Sequence, residues 1–442
     1  MIRTESSVKP RIKPFIITLS KWISAGLLIG AVVGTLTTLL LKTNDFLGEI
    51  RTGNTWLIYF LPAAGIVIGY IYMKFGKKMG VDSAKGNNVV IEGVQGKSPV
   101  LKRTGPIIYF GTFLTVLFGG STGREGAAIQ MGASVAQAVN QVFKIGPLDT
   151  KILLMSGISA GFGAAFGTPV TGAIFGMEMA ALGMLKFEAL IPCVVSSFTG
   201  HYIAEAVWGL GHEEFIIQNV PEPSVSTFAW TIIAAIAFGL AALLYCQLRH
   251  GIQKISEKYL NKDHMKRTFL GGLIIVVLML LLGTREYNGR SLELLEQCFE
   301  VRVVYYAFLA KLVFTAVTMG SGFVGGEAIP LFIIGAALGN TMSAFIDLPM
   351  SFLAALGLIA VFCGGANTPL AAFALAIEMF KGEAAVFFFL ACVISYIVSG
   401  HHGLWPSQTV FPPKSRLYIQ LSGSTIEDIE KSNKGLYPFN IR

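Results

Sequence analysis

A chain of 442 residues in which 53% are hydrophobic and only 14% charged is far more apolar than a soluble domain, and reads as a polytopic membrane protein. The net charge of +8 is gathered in loops between apolar runs, which is ordinary membrane bias and argues against a nucleic-acid partner. The five cysteines, Cys193, Cys246, Cys298, Cys363 and Cys392, lie mostly in apolar segments with no Cys-x-x-Cys spacing, and read as small hydrophobes rather than disulfides or metal ligands.

In chain order, apolar runs over Trp22–Leu41 and Trp56–Met73 predict the first membrane helices. The first run has no small-residue cleavage site before the next span, so it is expected to stay as a helix rather than leave as a signal. Further runs cover Ile152–Leu182, Ala189–Trp208, Phe228–Cys246, Phe269–Leu282, Val303–Met319, Leu331–Ile346, Phe352–Met379 and Ala384–Val398. Some approach the ~20 residues that span a bilayer. Others are too short and predict half-helices or re-entrant segments, which need protein or a water-filled cavity around them.

Segments 1–21, 74–103 and 247–268 carry five, seven and six Lys/Arg, and the carboxy-terminal tail is also basic, so these are expected in the cytoplasm. Segment 42–55 is charge-balanced, 209–228 holds Glu213, Glu214 and Glu222 without Lys or Arg, and 284–302 mixes both signs. These are expected to face outward.

An internal duplication organises the chain. An offset of 200 aligns Gly157 with Gly357, Ala160 with Ala360, Phe162 with Phe362, Thr168-Pro169 with Thr368-Pro369 and Glu178-Met179 with Glu378-Met379. Each copy follows a glycine-rich carboxylate motif, Gly123-Arg124-Glu125-Gly126 in the first half and Gly325-Gly326-Glu327-Ala328 in the second. Matching apolar segments broken by Gly and Pro point to a transporter whose substrate sits at the repeat interface, near the bilayer midplane. Glycines at spacing four, Gly26, Gly30 and Gly34 among them, read as close helix contacts.

Other motifs carry less. Gly157-Ile158-Ser159-Ala160-Gly161 has the spacing of a hydrolase nucleophile elbow, but without the strand-turn-helix that elbow requires. Gly320 to Gly325 fits dinucleotide spacing with no preceding strand, and Gly96-Lys97-Ser98 has Ile91 where a P-loop needs glycine. The six histidines form no metal-spaced set. No enzyme activity, cofactor, metal or nucleotide is expected.

Glu125 stands in a Gly-rich break leading into the small-residue run Ala127–Val139, a loop-into-helix junction. Such a helix start presents unsatisfied N–H groups and partial positive charge, which attract anions. A carboxylate there competes for the anion's place when ionised and withdraws when protonated, so one group can gate an anion and carry a proton. An ionisable side chain at membrane depth costs about 2.5–3.5 kcal/mol on insertion scales, which favours a functional role over a loop salt bridge with Arg124. Glu327 repeats the arrangement, with Pro330 in the first helical turn. Glu178 and Glu378 end the duplicated helices, where they either mark a membrane interface or line a pathway.

These residues resemble the CLC family of chloride channels and anion/proton exchangers. Gly123-Arg124-Glu125-Gly126-Ala127 matches that family's gating-glutamate motif, and Gly322 to Pro330 falls where its second anion-binding loop stands. The resemblance implies an all-α polytopic fold of inverted halves with broken and re-entrant helices, a homodimer with one halide pathway per subunit in the lipid bilayer, and no use of ATP. It implies a cytoplasmic tail over 1–21, a membrane domain over 22–408 with halves roughly 22–208 and 228–408, and a short cytoplasmic tail over 409–442, in the inner (plasma) membrane with both termini cytoplasmic. Carried over by residue, Glu125 is the gate. Backbone amides of Arg124, Glu125, Gly126, Glu327, Ala328 and Ile329 line the anion sites. Asn87, within Gly86-Asn87-Asn88-Val89-Val90, takes the position of the family's anion-contacting serine, or lies one residue from it. Trp405 replaces the pore tyrosine, and the internal proton glutamate of chloride exchangers falls at Met179.

The missing serine and tyrosine, with a glutamate at position 327, are similar to the fluoride-exporting branch, while Ile329 stands where that branch usually has a polar residue. The resulting expectation is a fluoride/proton antiporter in which Glu125 and Glu327 move protons. A chloride channel or chloride/proton exchanger is the alternative.

Overall fold

The computed structural model describes residues 12–78, 81–143 and 146–432; the first eleven and last ten residues of the expected tails lie outside them. The first half holds helices α1 (Ile12–Gly53), α2 (Leu61–Phe75), α3 (Asn87–Gln95), α4 (Thr104–Leu117), α5 (Glu125–Phe143), α6 (Pro147–Phe166), α7 (Pro169–Glu178) and α8 (Leu190–Tyr202). The second holds α9 (Val225–Tyr259), α10 (His264–Leu282), α11 (Leu292–Glu300), α12 (Ala307–Gly320), α13 (Ala328–Met342), α14 (Met350–Ala366), α15 (Pro369–Met379) and α16 (Ala385–Val398). A short helix, α17 (Ile426–Ser432), follows. Helix α1 starts ten residues before the apolar run at Trp22, with Pro14 in its first turn, where a missing N–H leaves no helical bond unmade. The long apolar runs 152–182 and 352–379 are each split in two by the Thr-Pro pair.

The duplication is visible in packing as well as in order. In the first half Gly132 of α5 meets Gly157 of α6, where an added Cβ on Gly157 would lie 2.3 Å from the Gly132 carbonyl oxygen. In the second half Gly335 of α13 meets Gly357 of α14, with the corresponding distance 2.1 Å. Only backbone fits between these helices, the device by which membrane helices gain contact without a hydrophobic driving force. Gly26, Gly30 and Gly34 do the same for α1 against α8. Helix α14 is buried along its whole length, whereas α9 and α10 expose Ile233, Leu240, Leu244, Leu273, Val277 and Leu281 outward. Among the described residues, five helical stretches are long and apolar enough to cross a membrane, and six apolar helices of 10–17 residues are shorter.

The halves are inverted. Helix α6 ends at Gly167 and α14 at Asn367, both left-handed (φ 72° and 57°), and Thr-Pro then starts α7 and α15. The start of α7 lies by His212 of segment 209–228, while the start of α15 is beside Gln408, which also donates to the Met179 carbonyl at the end of α7. The two helices therefore run in opposite directions. Each ends in a carboxylate that caps the other. Glu178 accepts from the N–H groups of Leu370 and Ala371 (3.1 and 2.8 Å), and Glu378 accepts from those of Val170 and Thr171 (2.9 and 2.7 Å) and from the Thr171 hydroxyl (2.7 Å). The sequence offered an interface marker or a pathway residue for these positions. The structure gives them to capping, because helix starts after Thr-Pro carry N–H groups with no internal acceptor.

The charge-balanced, acidic and mixed segments meet: Arg290 of 284–302 pairs with Asp45 of 42–55 and stands 4.0 Å from Glu213 of 209–228. Asp45 also pairs with Arg124, and Lys381 pairs with Glu214. The segment after α16 is stitched to the helices before it. Thr409–Val410 pairs in parallel with Ala181–Leu182, Ser407 N–H donates to Asn88 Oδ1 (3.0 Å), and half-buried Lys414 donates to Asn367, Ser399 and the Tyr396 carbonyl.

Candidate functional site

Helices α4 and α12 both stop short, and the chain turns through residues 118–124 and 321–327 before α5 and α13 begin. The two turns are hydrogen-bonded to each other as one antiparallel pair. Gly123 N–H donates to the Gly326 carbonyl (2.8 Å) and Gly326 N–H returns the bond to Gly123 (2.7 Å), while the Thr122 hydroxyl also donates to Gly326 (2.8 Å). Glycine is required by this approach: a Cβ on Gly326 would stand 2.8 Å from Gly126 N, and one on Gly325 2.0 Å from the Thr122 hydroxyl. The clasp brings the starts of α5 and α13, one from each half, to the same point. Their first-turn N–H groups have no acceptor within the helix, so the junction is electropositive on both sides.

A small cavity of about 20 Å³ lies at this junction, lined by Asn87, Glu125, Gly126, Ile129, Phe162, Phe166, Phe175, Glu327, Ala328, Phe362, Leu404 and Trp405. That is room for about one water-sized particle. Six of the eight expected site residues line it: Asn87, Glu125, Gly126, Glu327, Ala328 and Trp405. Arg124 and Ile329 turn their side chains elsewhere, which suits positions expected to act through backbone N–H. Arg124 Nη1 donates to the Leu41 carbonyl (2.7 Å) and to Asp45 (2.5 Å), and Ile329 is buried against Gly123.

Glu125 occupies the helix start itself. Its Oε2 accepts from Arg124 N–H at 2.9 Å, lies 2.3 Å from where a Cβ on Gly123 would be, and leaves Arg124 Nε 4.0 Å from its other oxygen. The carboxyl thus sits as an anion would, in the clasp between the halves and at the edge of the cavity. The Asn87 side-chain N–H₂ stands 3.3 Å from where a Cβ on Gly126 would be, while Asn87 Oδ1 is buried without a hydrogen bond. Asn88 instead accepts from Ser407, so Asn87 is the residue facing the cavity.

Glu327 is held from α9. Its Oε1 accepts from the Tyr245 hydroxyl at 2.7 Å and pairs with Arg249 Nε at 3.2 Å, both carboxylate and guanidinium being buried.

The aromatic wall was not among the expected site residues. Phe162 stacks on Phe175 (centroids 4.3 Å), Phe175 meets Trp405 edge-on (6.0 Å), and Phe362 meets Phe332 edge-on (5.3 Å). Ring edges carry the positive part of the aromatic quadrupole and can face an anion. The duplicated Phe162 and Phe362 were the available signal. Ser159 lies in the interior of α6, fully buried against Gly176, not on a turn after a strand.

Comparison with known proteins gives the same picture. A family model described as voltage gated chloride channel matches residues 64–400. A chloride/fluoride channel protein from Pseudomonas syringae pv. tomato is 37% identical, over 89% of this chain and 87% of that one. An H(+)/Cl(-) exchange transporter, ClcA, from Vibrio parahaemolyticus is 25% identical over 80% of this chain and 81% of its own. Among solved structures, that of a CLC-type fluoride/proton antiporter superposes with a TM-score of 0.85 at 30% identity, covering 89% of this chain and 98% of that one. A slow cyanobacterial Cl-/H+ antiporter shares the fold, with a TM-score of 0.72 at 20% identity over 93% and 97% of the two chains. The paired helix starts, the doubled architecture and these matches together make the chain a member of the voltage gated chloride channel, or CLC, family of membrane proteins.

Proposed function

We propose that this chain is an anion/proton antiporter that exports fluoride in exchange for protons. The observation that carries the reading is Glu125, lodged on the start of α5 within the two-half clasp, at the edge of a cavity of about 20 Å³. An ionised Glu125 closes the outward side. Protonation weakens its hold on the N–H groups, the side chain leaves with its proton, and an anion takes its place. Fluoride is the smallest and most strongly hydrated halide, so a cavity near one water in size, with N–H donors from two helix starts and the Asn87 amide, suits it better than chloride. Likeness to a chloride/fluoride channel protein and to a fluoride/proton antiporter supports the same choice.

Orientation follows the charge pattern: both termini and the basic segments face the cytoplasm, in the inner (plasma) membrane, and the working unit is a homodimer with one pathway per subunit. The chain works as a transporter rather than as an enzyme. Glu327 is the second carboxylate of the proton path, at the cavity's inner margin.

The chloride reading rests on one observation. Ile329 supplies no polar side chain beside Glu327 at the start of α13. Proteoliposomes loaded with fluoride or chloride separate the two readings. Fluoride efflux accompanied by proton uptake supports the proposal; selective chloride loss without proton uptake rejects it. Labelling of Ser159 by a fluorophosphonate probe would instead revive a hydrolase reading.

A further inference from the structure

Polar groups do not end at the Glu327 ion pair but continue toward the carboxy-terminal segment. Arg249 contacts Glu327, and the next residue of α9, His250, is buried with Nδ1 3.2 Å from Oε1 of Glu430 on α17. The second oxygen of Glu430 accepts from Lys254 Nζ at 2.7 Å, and His402 Nδ1 stands 3.9 Å from the first. The remaining ring nitrogen of His250, Nε2, is buried and makes no hydrogen bond among the described residues. Glu327 and Glu430 both act electrostatically on His250 and on Cys246, one turn earlier, so the two carboxylates flank this stretch of α9.

An imidazole with one nitrogen fixed by a carboxylate and the other unengaged is equipped to take up and pass on a proton, because the fixed nitrogen sets the tautomer that the other presents. Burial by itself raises the Glu430 carboxyl, but hydrogen bonds from His250 and Lys254 overcome it and hold the group at about 2. Glu430 therefore stays an anion near neutral pH. It can steady an imidazolium without taking its proton.

We propose that His250 is the inner proton carrier of the transporter and that Glu430, from the carboxy-terminal segment, is its positioning residue. This rests on the exchanger reading above. The proton leaves the neutral Glu327 carboxyl, which becomes a carboxylate, and binds Nε2 of His250, which becomes an imidazolium. The imidazolium then releases a proton to cytoplasmic water and returns to neutral imidazole, with Glu430 unchanged. The charged and titratable groups facing this pair are Cys246, Arg249 and Lys254 on α9, Glu327, His402 and Lys414.

Fluoride-driven proton uptake into proteoliposomes tests the proposal with wild type, H250N, E430Q, E430D and K254A. H250N and E430Q are expected to lose proton uptake by roughly 10²-fold, the lower end of what a positioned proton carrier supplies, while fluoride still exchanges. E430D retains coupling and the dependence on internal pH. K254A retains both as well, although it removes the other partner of the same carboxylate. Wild-type coupling ratio and pH profile in E430Q overturn the proposal, as does K254A losing as much as E430Q, which would make Glu430 a clasp for the tail. Should E430Q not purify as a monodisperse protein, H250N decides by the same two outcomes. Wild-type vesicles that pass fluoride without protons would sink the exchanger reading itself, whereas coupled wild type with coupled H250N sinks only this inference.

Discussion

Replacing Glu125 with Gln keeps the shape of the gate and removes its charge. The carboxylate accepts from Arg124 N–H at 2.9 Å. A hydrogen bond to a charged group contributes about 1.5–3 kcal/mol and one between neutral groups about 0.5–1.5, so the bond loses about 1–1.5 kcal/mol in the variant. One bond gives about 1–1.5 kcal/mol, or roughly five- to tenfold in the competition between side chain and anion for the helix start. The Gln variant should therefore bind fluoride tighter by about that factor in calorimetric titration, since the neutral amide yields the site more readily. It should also pass fluoride without moving protons, because an amide cannot carry one. The assay is a fluoride electrode and a pH electrode reading the same vesicle suspension. Proton uptake at the wild-type rate in E125Q would remove Glu125 from the mechanism and with it the reasoning from the clasp.

Three further outcomes are expected. Glu378→Ala strips three hydrogen bonds from the start of α7 and Glu178→Ala strips two from α15, so each should lower the thermal melting midpoint in detergent, at a cost of about 1–2 kcal/mol per cap; unchanged midpoints would refute the reciprocal caps. Asn87→Ser shortens the inward donor and widens the cavity, so the ratio of fluoride to chloride flux should fall about tenfold, a change equal to one charge-assisted hydrogen bond; an unaltered ratio would exclude Asn87 from selectivity. Glu430 has its carboxyl lowered from 4.5 to about 2, so its stabilisation of the tail is complete above about 4.5 and is lost as pH falls through 2. Amide exchange in 426–432 should accordingly quicken as pH is lowered from 5 toward 3 beyond the intrinsic trend, and E430Q should abolish that excess; an excess of the same size in E430Q would show that another group holds the tail.

Much of the architecture was legible in residue order alone. Period, Gly and Pro breaks and the 200-residue offset marked out two membrane halves, because a bilayer forces every backbone group to be satisfied within helices and leaves apolar runs with visible interruptions. The same reasoning placed Glu125 and Glu327 at helix starts, since a carboxylate at membrane depth is costly enough to need a purpose. What residue order did not reveal are contacts between the halves. Nothing local says that Gly123 pairs with Gly326, that Glu178 caps α15 while Glu378 caps α7, or that the carboxy-terminal segment returns to place Glu430 against His250.

The sequence by itself determined a doubled membrane fold and the two carboxylate breaks, because periodicity and helix-end chemistry are local properties. Only the tertiary structure decided that both breaks meet in one clasp around a cavity of about 20 Å³ walled by Phe162, Phe175 and Phe362. The physical reason is inversion: two halves running in opposite directions bring helix starts together from positions about 200 residues apart, and such proximity depends on packing that no single segment encodes.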